Sequence, residues 1–377
     1  MTSTSTIKPV EKPVQFDSPM FEIGIELVEV DNLIHATEAR NKFGVSGKGL
    51  CVAVCDTGIN AEHVDFQGRI VDQVNFTVDN GGELGDANDG HGHGTNVGGI
   101  IVANHDHIGI APGSSIVPIK VLDNNGDGNF QDIKKGLEWV LENHQQHAIS
   151  VVCMSLGGSQ NFQSDISMSN DEIKLLIKEL EHLNIAVVIA AGNDFYMHHS
   201  QEGMSYPAII KESISVGAVY DKNVGSFSYK SGAIAHTTAA DRITPFSQRL
   251  HTSTHPKCFT DVFAPGAPVT SSGINGKHGE SIQHGTSQAA PVVCGVILLA
   301  QELYHKASGE LPEVTKIKHW IQTSSFSIND GDDEHDNVAN TNKNYIRIDA
   351  MRLLGKVRRS LEVASLVHAN ILEESPQ

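Results

Sequence analysis

Short, continuous apolar runs separate stretches of helical periodicity in this chain, and that alternation leaves few folds open. Residues 50–55 read Leu50-Cys51-Val52-Ala53-Val54-Cys55, and similar runs recur at 116–122, 149–156, 185–191 and 214–219. A strand wet on one face alternates apolar and polar residues, so unbroken runs of this length predict strands covered on both faces, as in a parallel sheet. Between them Ile133, Leu137, Val140 and Leu141 share one helical face. A second face joins Ile173, Leu176, Ile177, Leu180 and Leu183, and a Ser169-x-x-Glu172 capping box is expected to open it. The pattern predicts an α/β fold, a mostly parallel central sheet with helices on both faces. Ligands of such sheets collect beyond the carboxyl ends of the strands. That rule selects Asp56, the stretch Ser155-Leu156-Gly157-Gly158 and the stretch Ala190-Ala191-Gly192-Asn193, although each residue alone suits a turn or cap equally well.

Two glycine-rich approaches to helices add candidates. Asp89-Gly90-His91-Gly92-His93-Gly94-Thr95 leads into apolar Val97, Ile100 and Ile101, which puts two histidines at a helix start, as metal ligands, catalytic groups or surface residues. His284-Gly285-Thr286-Ser287 precedes an apolar run reaching Ala300, and Pro291 is expected in the first helical turn, where its missing N–H costs nothing. Ser287 then sits at a helix N-terminus, near free N–H donors and the positive end of the macrodipole. An ordinary N-cap serine fits the same position, so its partners decide its role.

Composition narrows the classes of function. Against 27 basic residues stand 45 acidic ones, a formal charge of -18 that argues against nucleic acid and anionic membrane surfaces as partners. The longest apolar run, 292–300, is far short of the roughly 20 residues that a bilayer crossing needs. Five cysteines without a CxxC pair predict buried free thiols in a reducing compartment. The first residues lack the apolar core of a secretory signal, so a cytoplasmic location is expected. The 20 histidines include no HExxH pair and are expected mostly at the surface.

Peptide hydrolysis needs a nucleophile, a base, a carboxylate that orients the base, and donors where the oxyanion develops. Ser287, His93, Asp56 and Asn193 supply that set, with the triad in the order Asp, His, Ser. Val54-Cys55-Asp56-Thr57-Gly58-Ile59, His93-Gly94-Thr95-x-Val97-x-Gly99 and Gly285-Thr286-Ser287-x-Ala289-Ala290-Pro291 resemble the three motifs of the subtilisin-like serine proteases. The resemblance covers about residues 32–354, including Gly109-Ile110-Ala111-Pro112 and Phe263-Ala264-Pro265-Gly266. It implies attack by Ser287, with His93 rather than His91 as base because His93 holds the His-Gly-Thr position. It implies further that Asp56 orients His93, and that the Asn193 amide and the Ser287 N–H form the oxyanion hole. Gly126-Asp127-Gly128 and Ser155-Leu156-Gly157 would pair with an extended peptide by strand addition, with Leu122 and Phe130 lining upstream subsites. Ala191, Gly192, Asp194 and Ser205 fall around the primary pocket, where Asp194 would suit a basic side chain, within a broad specificity leaning to apolar residues. No cofactor is required for the chemistry. Asp65 resembles a calcium ligand of the family, which makes structural calcium a further expectation, although the 104–107 loop is short for a strong site.

Departures from the family pattern are as specific as the matches. Gln288 stands where many subtilisins carry Met, and Asn96 stands where a second histidine is common. An insertion lies between Val219 and Phe263, and the acidic run 330–336 reads as a solvated loop, with calcium binding as the alternative. The expected layout is an N-terminal extension over 1–30, a catalytic domain over 31–355 and a tail over 356–377 with the spacing of an amphipathic helix. The extended, proline-containing arm resembles the short extension of intracellular subtilisins and is expected to inhibit. An intracellular serine endopeptidase acting on peptides or unfolded protein accounts for all the motifs. A dedicated processing protease for one partner is the alternative, and a catalytically silent peptide-binding module is a second. The sequence is silent on oligomeric state.

Overall fold

The computed structural model describes residues 28–373, and the arm expected to inhibit lies outside the described residues. In chain order the strands are β1 (Cys51–Asp56), β2 (Val74–Asn75), β3 (Ser115–Lys120), β4 (Ile149–Met154), β5 (Ala186–Ala190) and β6 (Ile214–Tyr220). They continue as β7 (Phe227–Ser228), β8 (Ile234–Ala235), β9 (Val262–Ala267), β10 (Val269–Ser272), β11 (Glu280–Gln283), β12 (Phe326–Asn329) and β13 (Asn344–Arg347). The helices are α1 (Val28–Ile34), α2 (Ala36–Phe43), α3 (His93–Val102), α4 (Phe130–His147), α5 (Glu172–His182), α6 (Thr286–Ser308), α7 (Val314–Ser324) and α8 (Ala350–Glu373).

The main sheet has the order β12-β13-β9-β6-β5-β4-β1-β3-β2, and every neighbouring pair runs parallel except β12 with β13. The five apolar runs become β1, β3, β4, β5 and β6, and β1, β4, β5 and β6 are buried at every residue. Alternate side chains of one strand feed two cores. Val52 and Val54 join the core with α3 and α6, while Cys51, Ala53 and Cys55 join the core with α4 and α5. An unbroken apolar run is the sequence trace of that double coverage. All five cysteines are free and buried, as their positions predict.

Helix α6 is the axis of the larger core. By length and composition it passes for a membrane span, but 94% of its most apolar window is buried inside the protein. Two helix boundaries differ from expectation. Pro291 lies in the second turn of α6 rather than the first, because the helix already starts at Thr286. The start of α5 is capped by Asp171, whose side chain accepts from the Lys174 N–H, in place of the Ser169 capping box. Asp171 lies closer to the first orphan N–H groups and wins as a carboxylate at the helix N-terminus. The expected boundary between domain and tail at 355/356 falls inside the continuous helix α8.

The insertion after β6 is structural as well as superficial. Arg249 is fully buried, stacks 3.6 Å over the Phe195 ring and pairs with Asp330 at 2.9 Å. The acidic run is therefore not wholly solvated: its first residue is a core counter-ion, whose Oδ2 accepts from Arg249 Nε and from the Thr341 N–H.

Candidate active site

The carboxyl ends of β1, β4 and β5 and the N-termini of α3 and α6 meet around one cleft of about 860 Å³, lined among others by His93, Asn193 and Ser287. Asp56 ends β1 and is fully buried behind His93. Its Oδ1 accepts from His93 Nδ1 at 2.7 Å and from the Thr57 N–H at 2.7 Å. A carboxylate accepts, so Nδ1 is the donor of this bond and Nε2 is the ring nitrogen left for a second partner. Nε2 has no hydrogen-bond partner among the described residues. Two glycines permit this approach. A Cβ on Gly94 would meet the Gly58 carbonyl oxygen at 2.2 Å, and Gly58 itself sits at φ +107 against the Ala87 carbonyl.

Ser287 is the second residue of α6, and its hydroxyl donates to the Ser155 carbonyl at 3.2 Å. The Ser155 hydroxyl in turn donates to the Ser287 carbonyl at 2.7 Å. Pro291 explains the second bond. In an α-helix the N–H of residue 291 would bond the carbonyl of 287, and proline has none to give. Ser155 supplies the missing donor, and the two bonds clamp the backbone of Ser287 to the end of β4. Asn193 Oδ1 accepts from both the N–H and the hydroxyl of Thr286, each at 2.9 Å. Its Nδ2 is thereby turned away from Thr286 as a donor in the cleft wall. A serine hydroxyl, an imidazole backed by a buried carboxylate, and an amide donor along one wall can perform acyl transfer.

Supporting residues lie one layer back. Asp89, nearly fully buried, accepts five bonds: from the Thr57 hydroxyl, the N–H groups of His91, Gly92 and Thr95, and the Thr95 hydroxyl, all between 2.7 and 2.9 Å. Thr57 follows Asp56 and also accepts from the Gly94 N–H at 2.8 Å, so Asp89 ties the start of α3 to the end of β1. Lys120, fully buried at the end of β3, donates to the carbonyls of Thr57 and Leu122 and to Asn124 Oδ1. Neither residue stood out in the sequence; the only signal was a charged residue beside a buried run. The two departures at 96 and 288 touch each other: Gln288 Nε2 donates to Asn96 Oδ1 at 3.3 Å and to Gln283 Oε1 at 3.1 Å.

Among the expected subsite residues, Asp127, Leu156, Gly157, Gly192, Asp194 and Ser205 line the cleft. Leu122 and Ala191 are instead fully buried, and Phe130 packs edge-on against Tyr206 at 4.9 Å. Gly126 and Gly128 shape the loop rather than its surface. Gly126 takes φ +80, and a Cβ on Gly128 would strike Leu122. Ser155 acts through the Ser287 clamp. Asp65 lies elsewhere, fully buried, accepting from the His107 N–H and Nδ1 and from the Ser272 hydroxyl, with His63 Nδ1 at 3.4 Å. Burial opposes its ionisation, but these bonds prevail and hold its pKa down at about 2, and they raise that of His107 against its own burial. Calcium takes six to eight oxygens, and a carboxylate flanked by two imidazoles does not fit it.

The family profile that matches this chain, described as the subtilase family, covers residues 47–348. The chain belongs to that family. It is 34% identical over 278 residues to the "Major intracellular serine protease" of Bacillus subtilis (strain 168), covering 73% of this chain and 75% of that one. It is 29% identical over 284 residues to the "Intracellular serine protease" of Paenibacillus polymyxa, covering 74% and 72%. A fungal relative, "Subtilisin-like protease 8" of Trichophyton verrucosum (strain HKI 0517), is 31% identical over 264 residues, covering 67% of this chain and 44% of that one. This subtilase is a serine endopeptidase, and its substrates are peptides or proteins.

Proposed function

We propose that this subtilase cleaves peptide bonds through an acyl-enzyme on Ser287, with His93 as base and then acid, Asp56 as its orienting carboxylate, and Asn193 as an oxyanion donor. The observation that carries the assignment is the 2.7 Å bond from His93 Nδ1 to buried Asp56, which leaves Nε2, without a partner among the described residues, in the same cleft as Ser287. On substrate binding the Ser287 hydroxyl rotates from the Ser155 carbonyl to His93 Nε2 and gives up its proton as its oxygen attacks the scissile carbonyl. The oxyanion that forms is held by Asn193 Nδ2 and the Ser287 N–H. His93 then protonates the leaving amine, and a water releases the acyl group by the same steps in reverse. An extended peptide is held along the 125–128 and 155–158 segments, with broad specificity, and no cofactor enters the chemistry. The names of the two bacterial relatives support work inside the cell.

The test is labelling with a serine-directed fluorophosphonate, followed by digestion of an unfolded protein mixture with the cut sites mapped. Label on Ser287, lost in Ser287→Ala, together with many cut sites, is expected. Folded protein that takes no label would establish a silent peptide-binding module. Label together with cleavage of one sequence alone would establish a dedicated processing protease.

A further inference from the structure

The hairpin of β7 and β8, inside the insertion, reaches the cleft with its tip. The Tyr229 N–H donates to the Ala233 carbonyl and the Gly232 N–H to the Tyr229 carbonyl, both at 2.9 Å, which leaves Lys230 and Ser231 as the turn residues. Both line the cleft beside Asp194 and Met197. Lys230 is exposed, is the only lysine or arginine among the lining residues, and has no ion-pair partner among the described residues. In a chain of charge -18, a cation in the lining of the substrate cleft runs against the net charge.

The mount is rigid. Asn337 accepts from the Ile234 N–H at 2.7 Å and donates to the Gly232 carbonyl at 2.9 Å. Tyr229 is buried with its hydroxyl 3.0 Å from that of Tyr220, and its ring packs edge-on against Phe246 at 4.8 Å. The same face of the hairpin meets His284, three residues before Ser287, through Phe227 at 4.7 Å and the Tyr229 hydroxyl at 3.2 Å. Burial keeps His284 neutral, its pKa pushed down to about 3, so the hairpin rests on an uncharged neighbour.

The strand order fixes where Lys230 acts. The cleft-lining segments leave β3 (Asp127), β4 (Leu156), β5 (Asn193) and β6 (Lys230), and these strands run β6-β5-β4-β1-β3 across the sheet. Asp127 and Lys230 therefore occupy opposite ends of the cleft, with the reacting groups between them. A peptide held upstream of the cut along the Asp127 side leaves past the hairpin.

We propose that Lys230 is a specificity residue that selects an acidic side chain on the downstream side of the cleaved bond. The proposal rests on the peptidase reading above. The hairpin that carries the cation is fixed but the lysine side chain is exposed and loses freedom on pairing, so the selection is about fivefold at most, the size of one exposed ion pair.

Internally quenched peptides that share one upstream sequence and carry Glu, Gln or Lys at each of the first three downstream positions provide the test, with the full chain as enzyme. At one position the Glu peptide is expected to be cut about fivefold faster in kcat/KM than the Lys peptide. That preference, taken as the ratio of the Glu to the Lys peptide within each protein, is expected to vanish in Lys230→Gln, to invert in Lys230→Glu and to shrink in high salt. No preference at any position, or the same preference in Lys230→Glu, overturns the assignment. Failure to cut any Gln peptide would instead strike at the peptidase reading itself, so the two failures are distinguishable.

Discussion

The clamp between Ser155 and Pro291 predicts a coupling that neither residue would show alone. Pro291 removes the helical donor for the Ser287 carbonyl, and the Ser155 hydroxyl replaces it at 2.7 Å. Ser155→Ala leaves that carbonyl buried without a donor, which costs about 1–3 kcal/mol, while the Ser155 backbone carbonyl that receives the Ser287 hydroxyl is unchanged. In a Pro291→Ala background the new N–H restores the bond within α6, and Ser155→Ala then costs under about 1 kcal/mol. The difference, about 1–2 kcal/mol, is well above the roughly 0.3–0.5 kcal/mol within which independent sites add. Urea unfolding of the four proteins of the cycle, all carrying Ser287→Ala to prevent self-digestion, measures it. The Ser287→Ala change is common to all four and cancels. With active enzyme, Ser155→Ala should lower kcat more than it alters KM, because the clamp fixes the nucleophile rather than the substrate. Additive costs would show that the Ser287 carbonyl finds another donor and that the clamp is not the reason for the two residues.

Asp89→Asn turns the amide of the new side chain toward two Thr95 donors or toward three on the other side, and should destabilise by on the order of 2–4 kcal/mol while reducing kcat; unchanged unfolding in urea would refute the anchoring role. Asn193→Ala should lower kcat by about 10²–10³ with little change in KM, as read from progress curves on one peptide, and an equal loss in binding would count against an oxyanion donor. Burial raises the Asp221 carboxyl to about 7, with Glu29 adding repulsion against the help of Lys222. The folded state thus holds a proton that the unfolded chain loses near pH 4, so stability falls as pH rises from about 4 to 7, and Asp221→Asn should be more stable than the parent at pH 8 by on the order of 2 kcal/mol, with no gain at pH 4. Gln288→Met puts a thioether beside the nucleophile and should make activity peroxide-sensitive where the parent is not, measured as residual rate after timed oxidation.

The layers of this fold were legible because coverage on two faces leaves an unmistakable trace, the unbroken apolar run. The reacting groups were legible because short motifs carry them: Asp56, His93 and Ser287 each sit where a strand ends or a helix begins. What failed to show was direction and distance. Spacing put Leu122 and Phe130 near the cleft but gave no hint that one points into the sheet core and the other at Tyr206. The Arg249–Asp330 pair spans 81 residues, and the Asp65 partners His107 and Ser272 lie 42 and 207 residues away, so a carboxylate that resembled a calcium ligand gave no sign of the imidazole it bonds. Pro291 was misplaced by a turn because a proline in a second turn is tolerable only with an outside donor, and Ser155 is 132 residues from the carbonyl it serves.

The residues at 96 and 288 departed from the family pattern separately in the sequence, yet they form one arrangement in space. A chain of neutral amides runs from the Gly92 carbonyl, which accepts from Gln283, through Gln288 to Asn96, whose Nδ2 donates to the Ser281 carbonyl and hydroxyl. Gly92 precedes His93 and Gln288 follows Ser287, so this chain joins the starts of α3 and α6, the two elements whose separation sets the distance from base to nucleophile. An imidazole at 96 would add a titrating group to a site with no solvent exposure, and a Met at 288 would leave its polar neighbours without a partner. Either change alone breaks the chain, whereas both together remove donor and acceptor at once. This link between the starts of α3 and α6 is thus made of groups that carry no charge at any working pH. Of the buried groups whose ionisation is displaced, Asp221, His107 and Asp65 are not among the residues that line the cleft and act on stability, while His284, three residues before Ser287, is held neutral by its burial.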